Sequence, residues 1–483
     1  MTTECKGFIS VSESTVISVV DVLRATLPEK SIRVGTDIEP RHLGDWVVKA
    51  GPDETPLALT LPRSTDEVST ILKICHTYRT PVVPQGGLTG LTGGATASHG
   101  AVLVSLERMR AIEEIDPIAS TMTVQAGVPL QTVQEAADAA DLLYPLDIGG
   151  RGSCQIGGNI STNAGGNRVL RYGMTRDLVL GLEVVLADGT VITSLNKMLK
   201  NNAAYDLKHL FIGGEGTLGI VTRAVLRLFP KPRSINTALC AFRHFNDVYT
   251  FLRRARAHLA HTLTAFEVMW PAFYAYAVAS RGKVPIQPGH AAYVLIETMG
   301  TDPERDTNHL SDLVETALAD KVVVDGVIAK SIAETRAIWT IRDASGELVR
   351  TLQPLANFDV SIETGRIDAF VTACCERLRN MWPSAEAICF GHLADSNLHM
   401  FVKADATPFP EHAIEELVYT CVRDWGGSIS AEHGIGLIKR PYLSYSRTPQ
   451  ELALMKLVKS ALDPHGILNP GKVFEIGPVK PPV

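Results

Sequence analysis

"PVVPQGGLTGLTGGA", Pro81 to Ala95, decides how this chain is read. The stretch holds five glycines and two threonines, and Gly87, Gly90 and Gly93 recur every third residue. A flexible linker is built from Gly and Ser with little else. This run instead follows the apolar, proline-flanked segment Pro81-Val82-Val83-Pro84, which reads as a strand entering a loop. Glycines at such a point let backbone N–H groups approach a bound group that a Cβ would keep away. Grouped N–H donors suit a phosphate. The loop therefore predicts a phosphate-bearing ligand.

The surroundings alternate strand and helix signals. Leu57 to Pro62 reads as a strand. Ser64 and Glu67 have the spacing of a capping box, and Val68, Ile71, Leu72 and Cys75 then share one helical face. Residues 101–106 and 121–127 read as strands, and "LQTVQEAADAA" as a helix. A second glycine-rich region, "GGRGSCQIGGNISTNAGGNRVLRYG", begins at Gly149. "LVLGLEVVLADGTVI" predicts two strands around the hairpin signal Asp188-Gly189. Gly214, Gly216 and Gly219 spell a literal G-x-G-x-x-G. A dinucleotide motif of that form opens a helix and has an acidic residue about 20 positions on. Here it runs into β-branched "IVTRAVLRLF", with no Asp or Glu between Arg223 and Phe245. The match is accidental.

The 483 residues suffice for about two or three domains. Hydrophobic residues make up 45% and charged ones 20%, ordinary for a globular chain. The formal net charge of −6 gives no support to nucleic-acid binding. "MTTECKGFIS" lacks the basic-then-apolar pattern of a signal peptide, and no apolar run reaches the ~18 residues of a membrane span. Scattered cysteines without a C-x-x-C pair predict reduced thiols and a cytoplasmic location. "PKPRS", Pro230 to Ser234, is a plausible boundary. Beyond it, "AAYVLIET" and "ANFDVSIE" read as strands and "RIDAFVTACCERLRNM" as a helix. The terminal "GPVKPPV" reads as a frayed tail.

"CFGHLADSNLHMFVK", Cys389 to Lys403, carries His392 and His399. On one straight strand these would face opposite sides. Ala394-Asp395-Ser396-Asn397 is turn-forming, and a hairpin there would bring both imidazoles together. "SISAEHGIGLIKR" adds Glu432 and His433. Two His and a Glu with an open position form a common catalytic zinc set. The same residues read equally as hairpin histidines and a helix-capping Glu, or as one histidine acting as a general base.

Taken in order, "PVVPQGGLTGLTGGA", "GSCQIGGNISTNAGGNRVLRYG", "EGTLGI", "GHLADSNLH", "SAEHGIG" and "LDPHGILNPGK" resemble the FAD-dependent D-2-hydroxyacid dehydrogenases, a vanillyl-alcohol oxidase type of flavoprotein. The resemblance runs from about residue 40 to 475. It implies an α+β chain: a two-part FAD-binding domain over 1–233, a substrate domain with an antiparallel sheet over 234–425, and a C-terminal segment, 426–483, returning to the flavin. It places the FAD pyrophosphate on Gln85, Gly86, Gly87, Leu88, Thr89, Gly90 and Leu91. Ser153, Gly157, Gly158, Ser161, Asn163 and Gly166 would line the rest, with Ile220 and Asn469 also in contact. Relatives with covalent FAD often carry His where this chain has Leu88, so non-covalent FAD is expected.

The resemblance further implies His392, His399 and Glu432 as ligands of a divalent metal such as zinc, His433 as the base, and Arg342 as the partner of the substrate carboxylate. A planar guanidinium suits a carboxylate because it donates two parallel hydrogen bonds. The implied reaction takes a small D-2-hydroxy acid to the 2-oxo acid, with hydride passing to the flavin. Relatives acting on 2-hydroxyglutarate align polar or basic groups with Gly346, Asn357 and Phe401, which favours a monocarboxylate here. The electron acceptor is open between an electron-transfer flavoprotein, a quinone, a cytochrome and oxygen, and a homodimer is compatible with the sequence. Two other readings are an ether-lipid (alkylglycerone phosphate) synthase and a non-catalytic flavin-binding subunit. No phosphate-binding basic cluster supports the first, and the complete His/Glu set argues against the second.

Overall fold

A computed structural model describes residues 18–51, 53–279 and 284–475. The expectations for the N-terminal ten residues and for the terminal "GPVKPPV" lie outside the described residues. The first glycine loop leaves a small sheet whose lateral order is Ile32–Arg33, Ala58–Thr60, Val102–Ser105, Val82–Gln85. The last three strands run parallel, and the helix Thr65–Tyr78 forms part of the crossover between them. Ser64 Oγ accepts the Glu67 N–H at 3.2 Å, as the capping spacing predicts. The Glu67 carboxylate takes the N–H of Arg63 (2.9 Å) instead of that of Ser64, so the box closes one residue early. Val68, Ile71, Leu72 and Cys75 are fully buried along one face.

A second, antiparallel sheet has the order Ile112–Asp116, Thr121–Gln125, Ile220–Arg227, Val179–Val185, Val191–Ser194. The literal G-x-G-x-x-G runs directly into Ile220–Arg227, so it opens a strand and not a dinucleotide helix. At the expected hairpin Gly189 sits at φ +83°, a conformation that side chains disfavour, and Asp188 Oδ1 accepts the Thr190 N–H.

The third sheet has seven strands, in the order Asp325–Ile328, Ser234–Phe242, Ala292–Gly300, Leu263–Met269, Glu386–His392, Asn397–Lys403, Ala356–Ser361. Every neighbouring pair is antiparallel. Side chains alternate between faces along each strand. One face packs Phe266, Val268, Leu398 and Met400 against helices that include Phe245–Leu259 and Ile367–Met381. The other carries Met269, Phe390 and Phe401 against helices that include Pro271–Ala279 and Ile332–Arg342. That same face carries Glu267, Asp359, His392 and His399, because register pairs Glu267 with His392 and Asp359 with His399.

The chain then returns to where it started. Val82 donates its N–H to Ile467 O and accepts that of Asn469, both at 2.7 Å, so Leu468 extends the first sheet as a parallel bridge. Buried Lys459 fixes this return by donating to Thr217 O (2.7 Å) and Leu468 O (2.9 Å).

Two close approaches in this frame can be tested. A Cβ on Gly87 would lie 2.0 Å from the carbonyl oxygen of Ser153 and 2.8 Å from Cys154 Cα, both backbone atoms. Gly87→Ala is therefore expected to push the two glycine loops apart and lower the unfolding midpoint; a midpoint equal to wild type would mean the loops move freely.

The second approach is at Glu297, buried on Ala292–Gly300, where Trp339 Nε1 donates to it at 2.8 Å and Arg168 Nε stands 3.9 Å away. Burial raises its carboxyl from the ordinary 4.5 to about 7, against the pull of Arg168. Between those values the native chain holds a proton that the unfolded chain releases. Stability from this residue is therefore lost as pH rises from about 4.5 to 7, by something on the order of 3 kcal/mol. Glu297→Gln should flatten that slope and be more stable than wild type at pH 8, measured by urea unfolding at a series of pH values.

Candidate active site

The two glycine regions meet, although they lie far apart in sequence. A Cβ on Gly86 would stand 3.6 Å from Gly158 Cα, whereas one on Gly158 would meet nothing within 4 Å, so the space beyond Gly158 is open. Gly157 and Ser161 belong to the short helix Ile156–Ser161, where Ser161 Oγ donates to Gly157 O at 2.7 Å. Ser153 is exposed at its entrance. Gly86, Leu88, Thr89 and Leu91 are half-buried and Gly90 is exposed, so the loop presents backbone to the opening. The Gln85 side chain turns inward, donating to His42 O (2.8 Å) and Ala95 O (3.0 Å). It shapes the loop and leaves binding there to the backbone.

Several left-handed residues border this opening. Leu88 (φ 58°), Asn163 (49°), Glu215 (49°) and Asn469 (45°) are all left-handed without being glycine, and Gly166 lies at φ 121°. Such conformations persist where the surroundings over-determine them, often at ligand sites. Asn469 reaches across from the C-terminal return, its Nδ2 donating to Gly94 O (2.9 Å) and Glu215 O (2.8 Å). Its Oδ1 and Gln155 Oε1 are buried without a protein partner. Ile220 is buried at the start of its strand. Open space, exposed loop backbone and unpaired buried acceptors fit a large polar cofactor.

The histidine pair assembles on the third sheet. Leu393–Asp395 and Ser396 form the turn, and the rings of His392 and His399 come within 5.5 Å centroid to centroid. His392, His399 and Glu432 each offer a ligand atom within 4.8 Å of the others. Glu432 Oε1 lies 3.4 Å from His392 Nε2 and accepts the Gly166 N–H at 3.3 Å, which ties this cluster to the second glycine region. Asp359, His399 and His433 form an adjoining group with the same spacing, so His399 belongs to both.

Two buried carboxylates absent from the sequence reading organise these groups. Glu267, 1% exposed, accepts His392 Nδ1 at 2.6 Å on one oxygen and Arg342 Nε at 2.8 Å on the other. Burial would raise its pKa, but His392 and Arg342 hold it below the usual value. The second is Asp359, whose Oδ2 accepts the N–H groups of Ala431 (3.2 Å), Glu432 (3.0 Å) and His433 (2.9 Å). Buried Lys439 stands 3.4 Å from the same oxygen. Burial opposes ionisation of Asp359, yet His433, Lys439 and His399 hold its pKa well below the carboxylate range. His399 and His433 are both pushed down by burial, against the pull of Asp359, so neutral imidazoles are favoured.

His392 is different. Burial lowers it, but the facing Glu267 carboxylate overrides burial and lifts it to about 9. Arg342 Nη2, however, stands 3.1 Å from His392 Nε2. A guanidinium does not deprotonate, so it needs a lone pair there. The state that satisfies both contacts is a neutral ring with Nδ1–H on Glu267. Arg342 itself is buried at the end of Ile332–Arg342, its guanidinium 5.3 Å from the centre of the Phe390 ring. Phe401 is buried beside Phe390 at 5.4 Å, on the face of His399, as the two-residue spacing predicts. Asn357 is exposed and pairs with Phe401 across the sheet. Gly346 is exposed, with nothing within 4 Å of where its Cβ would be.

Comparison with known proteins agrees with this architecture. Residues 56–194 match the family described as FAD binding domain, and residues 231–473 the family described as FAD linked oxidases, C-terminal domain. The chain is 40% identical over 441 residues to D-2-hydroxyglutarate dehydrogenase of Xanthomonas citri pv. viticola, covering 90% of this chain and 92% of that one. It is 38% identical over 455 residues to the mitochondrial D-2-hydroxyglutarate dehydrogenase of Bos taurus, covering 94% and 82%. Among solved structures it resembles alkyldihydroxyacetonephosphate synthase, with a TM-score of 0.74 at 17% identity over 94% of this chain and 85% of that one. It also resembles p-cresol methylhydroxylase, with a TM-score of 0.72 at 16% identity over 95% and 96%. At those identities the structural likeness speaks for the fold alone. No helix among the described residues is long and apolar enough to cross a membrane. The shared fold, the paired glycine loops and the extent of the sequence match place this chain in the FAD-linked D-2-hydroxyacid dehydrogenase family, oxidoreductases that act on CH–OH groups.

Proposed function

We propose that this chain oxidises a small D-2-hydroxy acid to the 2-oxo acid, with Arg342 binding the carboxylate, His433 taking the hydroxyl proton, and His392, His399 and Glu432 holding a divalent metal, zinc by its donor set. The observation that carries the reading is the convergence of those three ligand groups, within 4.8 Å of one another, beside His433 and Arg342. FAD supplies the hydride acceptor, and a metal at this set lowers the pKa of a bound hydroxyl.

The remaining work falls to the chain's own residues. His433 is kept neutral by burial and is held by its backbone N–H on Asp359, so its ring is available to accept a proton near neutral pH. The guanidinium of Arg342 is oriented from one side by Glu267, with Nη2 3.1 Å from His392 Nε2; a metal on that imidazole lone pair would release Nη2 to a substrate carboxylate. Gly86–Leu91, Ser153, Gly157, Gly158, Ser161, Asn163, Gly166, Ile220 and Asn469 form the FAD cradle in this reading. Non-covalent binding follows from Leu88 at the usual attachment position and from Cys154, whose thiol is buried and pushed up to about 11, so that it supplies no thiolate at neutral pH.

Phe401, Asn357 and Gly346 bear on the substrate. Phe401 and Phe390 give the face beneath Arg342 and His399 an apolar character. Cations nearby already face carboxylates: Arg342 faces Glu267 and Lys403 faces Glu386. A second substrate carboxylate there would be desolvated without a partner, at a cost of several kcal/mol. The site thus favours a D-2-hydroxy acid with an apolar side chain over D-2-hydroxyglutarate, for which the similar bacterial and bovine enzymes are named.

Anaerobic mixing with D- and L-2-hydroxy acids, followed by flavin bleaching, tests the reading. D-Lactate and longer apolar homologues should bleach the flavin fastest, L-isomers scarcely at all, and acid should release the flavin from the protein. Phe401→Ala should weaken apolar substrates by about 1–3 kcal/mol in kcat/KM, while Arg342→Ala impairs every substrate. A panel led by D-2-hydroxyglutarate would sink the side-chain assignment but leave the reaction.

Chelation to full metal loss, or His392→Ala, should abolish substrate bleaching and leave the visible flavin spectrum unchanged. Unchanged bleaching by metal-free protein, checked by elemental analysis, would remove the metal from the mechanism.

A further inference from the structure

From its two simultaneous contacts we infer that Glu267 is a positioning residue of the reaction, locking the candidate metal ligand His392 and the candidate substrate arginine Arg342 to one rigid point. The inference rests on the metal and carboxylate roles proposed above for those two residues. Glu267 is 1% exposed, inside the strand Leu263–Met269, with paired strands on both sides. Its neighbours on the strand, Phe266, Val268 and Met269, are apolar core. A carboxylate in such a place is costly unless both oxygens find charged or polar partners. Both do. Oε1 takes His392 Nδ1 at 2.6 Å and Oε2 takes Arg342 Nε at 2.8 Å.

Each contact has a directional consequence. With Nδ1–H fixed on Glu267, the only lone pair of the neutral His392 ring is on Nε2, the nitrogen that lies 3.4 Å from Glu432 Oε1. An outer carboxylate of this kind sets the tautomer and raises the basicity of a metal-bound histidine. With Nε fixed, the rotation of the Arg342 guanidinium is stopped, and its Nη2 is delivered to the His392 side of the site. One side chain thereby sets the distance between the group that would hold the substrate hydroxyl through the metal and the group that would hold its carboxylate. In a 2-hydroxy acid these two functions sit on adjacent carbons, so their separation is fixed by the substrate and has to be matched by the protein. A strand position supplies that match better than a loop would.

The test measures metal affinity as well as turnover. Purified holoenzyme, Glu267→Gln and Glu297→Gln are stripped, then titrated with Zn2+ against a chromophoric chelator; KM and kcat are measured on the reloaded proteins. Glu297 is a control: a buried carboxylate on the same face that contacts Trp339 and faces Arg168, and neither His392 nor Arg342. Glu267→Gln keeps the shape but can accept at only one oxygen. It should bind Zn2+ 10- to 100-fold more weakly and raise KM, with flavin content unchanged, while Glu297→Gln matches wild type in both. Zn2+ affinity and KM within twofold of wild type in Glu267→Gln would overturn the inference and leave the metal reading intact. A wild-type protein that binds no Zn2+ would overturn the metal reading and this inference with it. Should Glu267→Gln fail to fold, Glu267→Asp carries the comparison: its shorter carboxylate cannot span both partners, so wild-type affinity and KM there would likewise overturn the role.

Discussion

The site depends on one carboxylate oxygen. Asp359 Oδ2 gathers three consecutive backbone N–H groups, from Ala431, Glu432 and His433, with the Lys439 ammonium beside them. Three consecutive N–H vectors converge on one point only if the chain curls around it, so this ion dictates the shape of the segment bearing Glu432 and His433. Asp359 is itself fixed by the sheet, directly opposite His399. A loop that would otherwise be free to wander is thus referenced to the same strand pair as the histidines. The burial cost of the carboxylate is offset by hydrogen bonds to it and by the Lys439 charge, both stronger in a low dielectric.

A similar device works from the other half of the molecule. Glu215, inside the glycine run that precedes Ile220–Arg227, accepts the N–H groups of Ile435 and Gly436, each at 2.8 Å. Glu432 in turn accepts from Gly166. The segment 431–436 is therefore gripped by Asp359 on the seven-stranded sheet and by Glu215 from the glycine-loop side. Gly434 and Gly436, both at positive φ, let it follow that path; a Cβ on Gly436 would lie 2.2 Å from Thr92 O. Glycine loops and histidine cluster are held in register by backbone hydrogen bonds to side chains, which do not require long apolar contacts between the halves.

Much of this was legible in the residues. Periodicity placed the helix Thr65–Tyr78 and its buried face, and Asp188-Gly189 marked the hairpin. The β-branched run after Gly219 was enough to reject a dinucleotide helix. Turn chemistry at Ala394–Asn397 anticipated the meeting of His392 with His399. What periodicity could not supply was partnership. Glu267 and Asp359 sit in "FEVMW" and "NFDVS", each an isolated carboxylate inside an apolar strand. That isolation was a readable signal, since such a group must be paired when buried. Their partners Arg342, Lys439 and the 431–433 backbone lie 72 to 80 positions away, and only the tertiary fold identifies them. The half-formed capping box shows the same limit locally: spacing located the helix start, but which N–H the Glu67 carboxylate takes is set by the path of the chain at Arg63.

The parallel bridge between Leu468 and Val82 bears on how the molecule is made. The first glycine loop grows out of a strand whose outer edge pairs, among the described residues, with Ile467 and Asn469, and Asn469 crosses that loop to reach Gly94 and Glu215. On the ribosome, the first sheet emerges with that edge bare while the 360-odd residues from Ser105 to Ile467 are still to be synthesised. That edge is therefore completed only once residues 467–469 have been made. Until then the edge is a place for a chaperone or a wrong strand to pair, and a chain cut short before residue 467 would leave it open permanently.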